Sequence, residues 1–425
     1  MNSPAPKSRD MLGRTDTVSL KEALRLLRQH LPACPAETIT LEITEALGWI
    51  CAENVLSPEN LPPYPRSTMD GFAVSAADTF GASENLPAYL EVTGDVPMGQ
   101  FPEHGPGPGA CYHIATGGIL PPGTDAVVML EHTVAVDEQM IEVMQPVASG
   151  ANVIGTGEDI IENEILLHRG HRIRPQDIGL LAGVGLEMIV VFRRVRVGII
   201  STGDEIVPHD RVPPPGKIRD MNSVALAGMV RENNGRPTFY GIAADNEQSL
   251  TAMMLEAKSA NDIVLLSGSS SVGARDIGEK VLEKLGQPGI IFHGVAIKPG
   301  KPVIMASADD TLLFGLPGHP VSAAVAFNLF VRPAIISLSG VTDDGLPQYP
   351  TIKAKLMRNI NSASGRTDYV RVQIIINDNA LPEAHPILGK SGALSTMVKA
   401  HGIIEIEEKI QGIKEGETVE VELFD

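Results

Sequence analysis

Aromatic residues and positive charge are both scarce in this chain of 425 residues. Phe, Tyr and Trp together make up 4% of the sequence, and Trp49 is the single tryptophan. The chain therefore has few rings on which single-stranded nucleic acid could stack. Acidic residues outnumber basic ones by 52 to 34, and the net charge of −18 repels a phosphate backbone. We expect no nucleic-acid partner, and an anionic substrate would need a locally basic pocket.

Cysteines and long apolar runs are also few. The three cysteines are odd in number and lack metal-ligand spacing, which is typical of reduced thiols in a cytoplasmic protein. The first 18 residues are polar and contain proline, unlike a signal peptide. No run approaches the roughly 20 apolar residues that span a bilayer. The absence of a Gly-x-Ser-x-Gly elbow and of a Walker-type loop argues against a serine hydrolase and a P-loop NTPase. We expect a cytoplasmic protein with no membrane contact.

The chain is longer than one ordinary core, and its length predicts two to four domains. Ser19 and Glu22 have the spacing of a capping box, and leucines recur on one face until Pro32 ends the helix. A second, short helix is predicted over 177–185. We expect it to pack back on the first helix, so that residues 17–45 and 150–187 form a small, discontinuous helical linking domain.

Two parts of the chain have the alternation and turn spacing of β-structure. Residues 46–149 contain short β-like runs between Gly and Pro clusters, which predicts a β-rich inserted domain. Residues 348–425 alternate strand-like runs with turns and predict a C-terminal all-β domain. The runs are 89–93, 111–116, 126–131 and 140–147 in the first part, and 351–356, 369–376, 402–407 and 418–423 in the second.

Residues 188–340 predict an α/β domain with a doubly wound parallel sheet. Short β-branched runs alternate with longer helical runs, and Asn222 is predicted to cap the first helix. In such a sheet, ligands bind at the carboxyl ends of the strands. The predicted strands are 195–201, 237–243, 262–267, 291–297 and 311–314, and the predicted helices are 222–235, 247–260, 276–286 and 321–332.

The loops at that edge combine three kinds of chemistry. The Gly/Ser loop 267–273 offers backbone N–H groups ahead of a helix, which suits a phosphate or another oxyanion. Lys298 and Lys301 supply the positive charge that the chain otherwise lacks. Four carboxylates could hold Mg²⁺ through oxygen ligands, namely Asp204, Glu205, Asp245 and Asp276. Together these loops indicate chemistry on a phosphorylated or oxyanionic ligand.

Each loop also has an ordinary structural interpretation. A Gly/Ser loop is usually only a turn, Pro-Gly-Lys-Pro is more often a tight turn than a binding loop, and Gly-Asp-Glu after a strand commonly caps a helix. Their convergence on one sheet edge favours the functional interpretation. In the β-rich domain, Asp70-Gly71 taken alone indicates a hairpin turn, and the residues there do not decide between a turn and a site.

Beyond these local patterns, the chain resembles the MoeA family, which is related to the second catalytic domain of gephyrin. The resemblance covers about residues 17 to 425, and the number of ordered motifs makes it specific. The motifs are Ser-Thr-Met-Asp-Gly-Phe-Ala-Val (67–74), Ala-Thr-Gly-Gly (115–118), Gly-Glu-Asp-Ile (157–160) and the segments 201–205, 267–276, 298–302 and 315–322.

This resemblance implies both an architecture and a reaction. It implies an elongated four-part subunit that forms a homodimer, with an active site between subunits and an α/β domain that binds molybdopterin. The implied reaction converts adenylated molybdopterin and molybdate, with Mg²⁺, into molybdenum cofactor and AMP. It also implies contacts with other proteins of cofactor biosynthesis.

Transferred to this sequence, the family's site falls on four groups of residues. The pterin phosphate region would be bound by Asn222, Ser267, Gly268, Ser271, Gly273 and Asp276. Catalysis and the cation would depend on Asp204, Glu205, Asp245 and Asp276. The molybdate pocket would contain Lys298, Lys301, Pro302 and Ser322, completed by Arg371 and Ser391 from the last domain. Asp70 and Thr116 would take part in catalysis from the partner subunit's side of the cleft.

Three other functions stay open at this point. The α/β domain alone would suit a molybdopterin adenylyltransferase, and the whole chain would suit a non-catalytic scaffold or carrier that binds molybdopterin. A paralogue that prefers tungstate is the third. The chain departs from the family pattern at Ser269-Ser270, at Pro65-Arg66 and at 154–156, where Ile-Gly-Thr replaces a basic pair.

Overall fold

The computed structural model describes residues 17–34, 37–268, 272–342, 349–377 and 380–424, with only the backbone described for 272–276. Helix α1 spans Leu20–His30. The Ser19 hydroxyl accepts a hydrogen bond from the Glu22 backbone amide at 3.2 Å, as the sequence predicts. The Glu22 carboxylate, however, accepts from the Arg25 guanidinium at 2.6 and 2.8 Å, so that one half of the predicted capping box forms.

The β-rich part follows three short strands, β1 (Thr38–Glu42), β2 (Val55–Leu56) and β3 (Arg66–Ser67), with a 3₁₀ turn at Ile43–Glu45. Its strands are β4 (Gly71–Val74), β5 (Ala88–Asp95), β6 (Ala110–Ile114), β7 (Ala126–Met129), β8 (Thr133–Ala135) and β9 (Met140–Val143), with 3₁₀ turns at Ala76–Thr79 and Leu130–His132. They form one six-stranded sheet in the order β7-β4-β6-β5-β9-β8. The predicted β-rich fold of this part is confirmed.

After the six-stranded sheet, the chain forms strands that pair with the three short strands that precede the sheet. The returning elements are β10 (Val153–Ile154), β11 (Ile165–Leu167), α2 (Pro175–Gly183) and β12 (Met188–Phe192). Strand β10 pairs with β3, β11 with β2 and β12 with β1, all antiparallel. These pairs hold the two ends of the six-stranded sheet side by side, so the sheet is inserted between paired segments. The domain bounds given above stay a prediction.

The prediction that the second helix packs on the first is wrong. Helix α2 packs through Leu181 into a core with Ile43 and Ile189. Helix α1 buries Ala23 and Leu27 in the core of the α/β domain instead. Val18, two residues before α1, fixes this position, because its amide donates to the Gly294 carbonyl at 3.1 Å and its carbonyl accepts from the Ala296 amide at 2.9 Å.

The α/β domain contains the predicted alternation of strands and helices. In chain order the elements are β13 (Val195–Thr202), β14 (Ile206–Val207), β15 (Ile218–Arg219), α3 (Asn222–Glu232), β16 (Gly235–Ala243), α4 (Glu247–Ala260), β17 (Ile263–Ser267), α5 (Val272–Lys284), β18 (Pro288–His293), β19 (Ile297–Lys298), β20 (Ile304–Ala308), β21 (Thr311–Leu316), α6 (Pro320–Ala326) and α7 (Arg332–Leu338). Six strands form one sheet in the order β16-β13-β17-β21-β20-β18.

One strand of this sheet was not predicted, and it makes the sheet mixed rather than parallel. Strand β20 pairs antiparallel with both β18 and β21. It forms a hairpin with β21 through Asp309, whose φ of 56° is the left-handed conformation of a tight turn. Since β18 is antiparallel to β20, it runs in the same direction as β13, β16, β17 and β21. The loops after these five strands therefore share one edge, as the prediction of the site requires.

Among the described residues, one helix, Pro320–Leu338, is long and apolar enough to cross a membrane by length and composition. It comprises α6, a π turn at Phe327–Val331 and α7. Its Phe327 and Phe330 are fully buried in the same core as Phe314 of β21. The apolar character of this helix thus reflects its place in the protein core.

The C-terminal part is all-β apart from one short helix. Its elements are β22 (Thr351–Leu356), β23 (Ile360–Asn361), β24 (Thr367–Ile375), β25 (Glu383–Pro386), α8 (Ser395–Val398), β26 (Gly402–Ile406), β27 (Gly412–Ile413) and β28 (Thr418–Leu423). The sheet order is β19-β24-β25-β22-β28-β26, and an additional β24–β26 pairing closes it into a barrel. The predicted all-β fold is confirmed, and β19 of the α/β domain joins the barrel sheet.

Candidate active site

A basic cavity of about 640 Å³ lies where the α/β domain meets the C-terminal barrel. The joint is a strand pair, because β19 pairs in parallel with the first residues of β24. All six residues predicted for the molybdate pocket line this one cavity. They are Lys298, Lys301, Pro302 and Ser322 from the α/β domain, and Arg371 and Ser391 from the C-terminal part. We call this the basic cavity.

Arg371 is the most unusual side chain of the basic cavity. It lies on β24 and is 7% exposed. Its Nη2 donates to the Gly389 carbonyl at 3.4 Å, but its Nε and Nη1 are buried and have no hydrogen-bond partner among the residues that the structure describes. Burial lowers the pKa of this guanidinium because the charged form is poorly solvated. A buried cation with unused donors is costly unless an anion compensates it.

An edge cavity of about 360 Å³ lies at the carboxyl ends of the α/β strands. Glu205, Asn222, Ser267 and Gly268, four of the predicted residues, line it together with the turn at Gly318. The side chain of Asp276 and all of Ser271 fall outside the described residues. Gly273 lies in the first turn of α5. We call this second pocket the edge cavity.

Asn222 has a different role from the predicted N-cap. Met221 occupies the cap position of α3, and Asn222 is the first helical residue. Its Nδ2 donates to Ser267 Oγ and to the Gly318 carbonyl, both at 2.9 Å. Asn222 lies one position past the cap, and its side-chain amide connects α3 to the end of β17 and to the turn before α6. Its Oδ1 is buried and has no hydrogen-bond partner among the described residues.

Gly268 is required by the backbone of the edge cavity. Its φ is 119°, a conformation that side chains rarely adopt. A Cβ at this position would lie 1.9 Å from the Thr202 carbonyl oxygen. The glycine therefore lets the loop after β17 pass directly over the end of β13, which is a structural reason for its presence beside any contact with a ligand.

Of the four carboxylates predicted to hold Mg²⁺, the structure describes the side chains of three, Asp204, Glu205 and Asp245. Asp204 and Asp245 accept each other's backbone N–H, at 3.3 and 3.2 Å, and Asp245 also accepts from the Thr202 hydroxyl at 2.8 Å. Glu205 faces the edge cavity. Among residues whose side chains are described, no group of three or more His, Cys, Asp or Glu is placed to hold a metal ion. The predicted four-carboxylate set remains a prediction, since Asp276 is not among those side chains.

The two cavities are separated by a seam between two loops. The Val321 amide donates to the Ser391 carbonyl at 3.2 Å. Ser322 and Ser391 line the basic cavity, whereas Pro320 and Gly392 line the edge cavity. The seam thus brings neighbouring residues of the same two loops into different cavities, and the cavities lie side by side.

Asp70 and Thr116 are brought together as a pair in the β-rich part. Asp70 Oδ1 accepts from the Thr116 amide at 2.7 Å and from its hydroxyl at 2.8 Å. These bonds hold the pKa of the Asp70 carboxyl below its usual value, the amide bond contributing most. Neither residue lines the basic cavity or the edge cavity of the same chain.

Comparison with known families accounts for most of the chain. Residues 18–185 match the model of the MoeA N-terminal region (domain I and II). Residues 198–337 match a model described as a probable molybdopterin binding domain, and 353–424 match the MoeA C-terminal region (domain IV). A molybdopterin molybdenumtransferase of Haemophilus influenzae is 33% identical over 96% of this chain and 98% of its own. The chain belongs to the MoeA family.

Other relatives agree with this membership. A molybdopterin biosynthesis protein of Methanocaldococcus jannaschii is 35% identical over 94% of this MoeA-family chain and 100% of its own. The crystal structure of a molybdopterin biosynthesis MoeA protein from Pyrococcus horikoshii has a TM-score of 0.82 at 35% identity, and the match covers 96% of this chain and 99% of that one. The similarity thus extends over all parts of the fold described above.

Two of the departures of this MoeA chain are neighbours in the structure. Arg66 of β3 is the register partner of Ile154 of β10. The Arg66 guanidinium donates to the Gly117 carbonyl at 3.3 Å, next to Thr116. The basic residue Arg66 on β3 therefore lies opposite the segment 154–156, which contains no basic residue.

Three charged residues that line the basic cavity were not predicted from the sequence, namely Arg366, Asp368 and Lys390. The spacing of Arg366 and Asp368 could have identified these two, because residues i and i+2 of an extended chain lie on one face. Arg371 of the same segment was identified through the family resemblance. Asp368 and Arg371 are an odd number of residues apart, which in a regular strand predicts opposite faces, although both line this one cavity. The chain offers no signal for the strand β19 that aligns the two domains.

Proposed function

We propose that this MoeA-family protein is a molybdopterin molybdenumtransferase. Its substrates are adenylated molybdopterin and molybdate, and its products are molybdenum cofactor and AMP. The observation that carries the proposal is the Arg371 guanidinium, buried with two unused donor atoms in a cavity that also contains Lys298 and Lys301. Molybdate is a tetrahedral dianion, and lysine, arginine and hydroxyl donors are the groups that bind such anions.

The roles of the two cavities follow from their chemistry. The basic cavity holds the oxyanion through Lys298, Lys301 and Arg371, with Ser322 and Ser391 as hydroxyl donors. The edge cavity holds the phosphate and pterin part of the substrate against Asn222, Ser267 and Gly268. Because the cavities share a seam, one extended substrate reaches both, with its metal-accepting end in the basic cavity.

The reaction couples two events at neighbouring places. Cleavage of the phosphoanhydride of adenylated molybdopterin builds negative charge on phosphate oxygens, which cationic groups stabilise most in the transition state. The lysines of the basic cavity hold the oxyanion near the freed pterin end, so that transfer does not depend on a second encounter. Glu205, at the rim of the edge cavity, is the carboxylate placed to accept hydrogen bonds from the substrate there.

Mg²⁺ fits the carboxylates near the edge cavity as a cofactor. Mg²⁺ is usually bound by one or two carboxylates together with substrate phosphates, and it needs no complete protein cage. Among side chains that the structure describes, the candidate Mg²⁺ ligands are Asp204, Glu205 and Asp245. Asp276 would be the fourth carboxylate. When bound, Mg²⁺ supplies charge neutralisation at phosphate oxygens.

We further propose a cytoplasmic homodimer whose active site is completed by the partner subunit. The support is that Asp70 and Thr116 form an ordered, exposed pair that lines neither cavity of its own chain. A pair that is to act in catalysis must therefore meet a cavity of a second copy. Other proteins of cofactor biosynthesis are the expected transient partners.

The proposed reaction is tested directly with the purified protein. Adenylated molybdopterin and Mg²⁺ are mixed with molybdate or with tungstate, and AMP release and pterin-bound metal are followed together. We expect AMP and bound molybdenum to form in equal amounts. A Lys301→Ala variant should lose most of both, because a charge-assisted contact to the oxyanion contributes about 1.5–3 kcal/mol.

The same assay separates the other functions. A carrier would bind the pterin without AMP release, and its cofactor yield would not change in Lys301→Ala. An adenylyltransferase would accumulate adenylated pterin from ATP and metal-free molybdopterin in the absence of molybdate. A clear preference for tungstate in the bound metal would replace molybdate as the substrate and leave the type of reaction unchanged.

A further inference from the structure

Among the described residues that line the basic cavity, one carboxylate lies between the cations. Asp368 lines the cavity together with Lys298, Lys301, Arg366, Arg371 and Lys390. It is 3% exposed. A negative charge opposes the binding of an oxyanion by simple Coulomb repulsion. Its presence in this place therefore calls for a role that outweighs the repulsion.

The contacts of Asp368 show which groups it acts on. Its Oδ1 accepts from Arg366 Nε at 2.7 Å, and its Oδ2 lies 3.4 Å from Arg366 Nη2. Lys298 Nζ lies 3.8 Å from the same Oδ2. The last distance is that of an ion pair and exceeds a normal hydrogen bond, so the ammonium keeps its donors free for another acceptor. Asp368 is thus held firmly by one cation and attracts the other.

The backbone places these two side chains opposite each other. Lys298 and Asp368 are register partners in the parallel pair of β19 and β24, and the Thr367 amide donates to the Ala296 carbonyl at 2.9 Å. Lys298 comes from the α/β domain and Asp368 from the C-terminal barrel. Their ion pair therefore joins a flexible, exposed lysine of one domain to a buried carboxylate of the other.

We propose that Asp368 is a positioning residue for oxyanion binding, which acts by orienting Lys298 across the joint of the two domains. An exposed lysine has a large side-chain conformational entropy, part of which it loses when it binds an anion. The carboxylate restricts this freedom before the oxyanion arrives. The inference builds on the proposed function, because the oxyanion is its substrate.

The direction in which one substitution changes molybdate binding distinguishes orientation of Lys298 from the charge of Asp368. Asp368→Asn keeps the size of the side chain and an acceptor for Arg366 but removes the negative charge. Loss of repulsion alone would strengthen oxyanion binding, whereas loss of orientation weakens it. We expect molybdate binding to weaken about three- to tenfold, measured by titration calorimetry on the full chain with molybdate alone.

A double-mutant cycle identifies the group through which Asp368 acts. In a Lys298→Ala background, Asp368→Asn should change the dissociation constant less than about twofold, since the oriented group is gone. In turnover, Asp368→Asn should raise the KM for molybdate and leave kcat at saturating molybdate nearly unchanged. Asp309→Asn is the matched control, because it also removes one carboxylate from an ion pair, with Lys258 at 2.6 Å, outside the cavity lining.

Tighter molybdate binding in Asp368→Asn, or an equal effect with and without Lys298, would overturn the inference. If Asp368→Asn does not fold, Asp368→Glu replaces it, because it keeps the charge and moves it by one methylene group. Orientation then predicts weaker binding only in the presence of Lys298, and unchanged binding would overturn the proposal. Failure of the unsubstituted protein to bind molybdate would overturn the proposed function as well, and is recognised because it precedes any variant.

Discussion

The basic cavity and the edge cavity lie side by side but differ in how far their buried polar groups are paired. In the edge cavity most of them are paired within the protein, with Asn222 Oδ1 as the exception among the described residues. Asn222 Nδ2 has two acceptors, and Ser201 Oγ donates to Asp220 at 2.7 Å. In the basic cavity, Arg371 has two buried donors that meet no partner in the described part of the chain. The first arrangement stabilises the fold, whereas the second leaves donors that an anionic ligand could use under the proposed function.

This difference shows where a ligand contributes most to binding. Buried polar groups that are already paired gain little from a ligand, because a bond to protein is exchanged for a bond to substrate. Unpaired cations gain the full interaction with an anion. We therefore expect substitutions in the edge cavity to act first on stability, and substitutions in the basic cavity to act first on binding.

The largest effect on stability is expected from Gly268→Ala. The new Cβ would lie 1.9 Å from a backbone oxygen at a φ of 119°, so the loop must move, at a cost of at least about 3 kcal/mol. Scanning calorimetry should show a markedly lower melting temperature. Gly228→Ala in α3 is the matched control, because a Cβ there meets nothing within 4 Å. It should raise stability by about 0.5–1 kcal/mol.

Equal melting temperatures for these two variants would contradict the close approach seen at Gly268. A Gly268→Ala variant with unchanged stability and lost turnover would instead assign this glycine to the ligand alone. Either result would contradict the expectation that substitutions in the edge cavity act first on stability.

The next effect is expected from Arg371→Met, and it has opposite signs on binding and on stability. Removal of the guanidinium should weaken molybdate binding about ten- to a hundredfold, the equivalent of about 1.5–3 kcal/mol. The melting temperature should stay the same or rise, because an uncompensated buried charge is replaced by an apolar side chain of similar length. Titration calorimetry and scanning calorimetry measure the two quantities on the same sample.

Arg366→Met is the control for this prediction. It removes a cation from the same cavity, but it leaves the buried Asp368 carboxylate without its 2.7 Å donor. Its melting temperature should therefore fall. A fall of similar size in Arg371→Met would show that Arg371 is stabilised within the protein after all, and would remove the main support for the oxyanion site.

Local patterns predicted the sheet edge and the two lysines of the basic cavity, Lys298 and Lys301. Helix α4 was predicted at its observed bounds, and loops that follow parallel strands must meet at one edge. Lys298 and Lys301 stood out as basic residues in a turn-like loop of an acidic chain. The family resemblance joined Arg371 to the lysines, which no local pattern could do.

The failures of prediction concern contacts between distant segments. Helix α1 has the apolar stripe of any surface helix, and the stripe does not say which core it covers. Strand β20 is a short run of mostly small residues whose partners lie on both sides of it in the sheet. Asn222 resembles a cap residue by type, and only the folded positions of Ser267 and Gly318 give its amide other acceptors.

The smallest measured change is a partial recovery of activity, and it concerns Asp70, which with Thr116 lies outside the lining of both cavities. An Asp70→Asn variant and a Lys301→Ala variant should each be nearly inactive. Asp70→Asn keeps the acceptor for the two Thr116 donors, so its fold should be retained. If each site combines Asp70 of one subunit with Lys301 of the other, mixed dimers contain one intact site. Random mixing of subunits should then restore about a quarter of the unsubstituted activity.

The control is the doubly substituted chain, which carries Asp70→Asn and Lys301→Ala together. It should stay inactive after the same exchange of subunits. Restored activity would extend the comparison of the two cavities to a third region, since the paired and exposed Asp70 would act on a cavity that its own chain does not provide. Absence of restored activity, with mixed dimers shown to form by mass spectrometry, would place Asp70 and Lys301 in one subunit's site or in separate roles. The intersubunit site would then be wrong, while the oxyanion role of the basic cavity would still rest on Arg371.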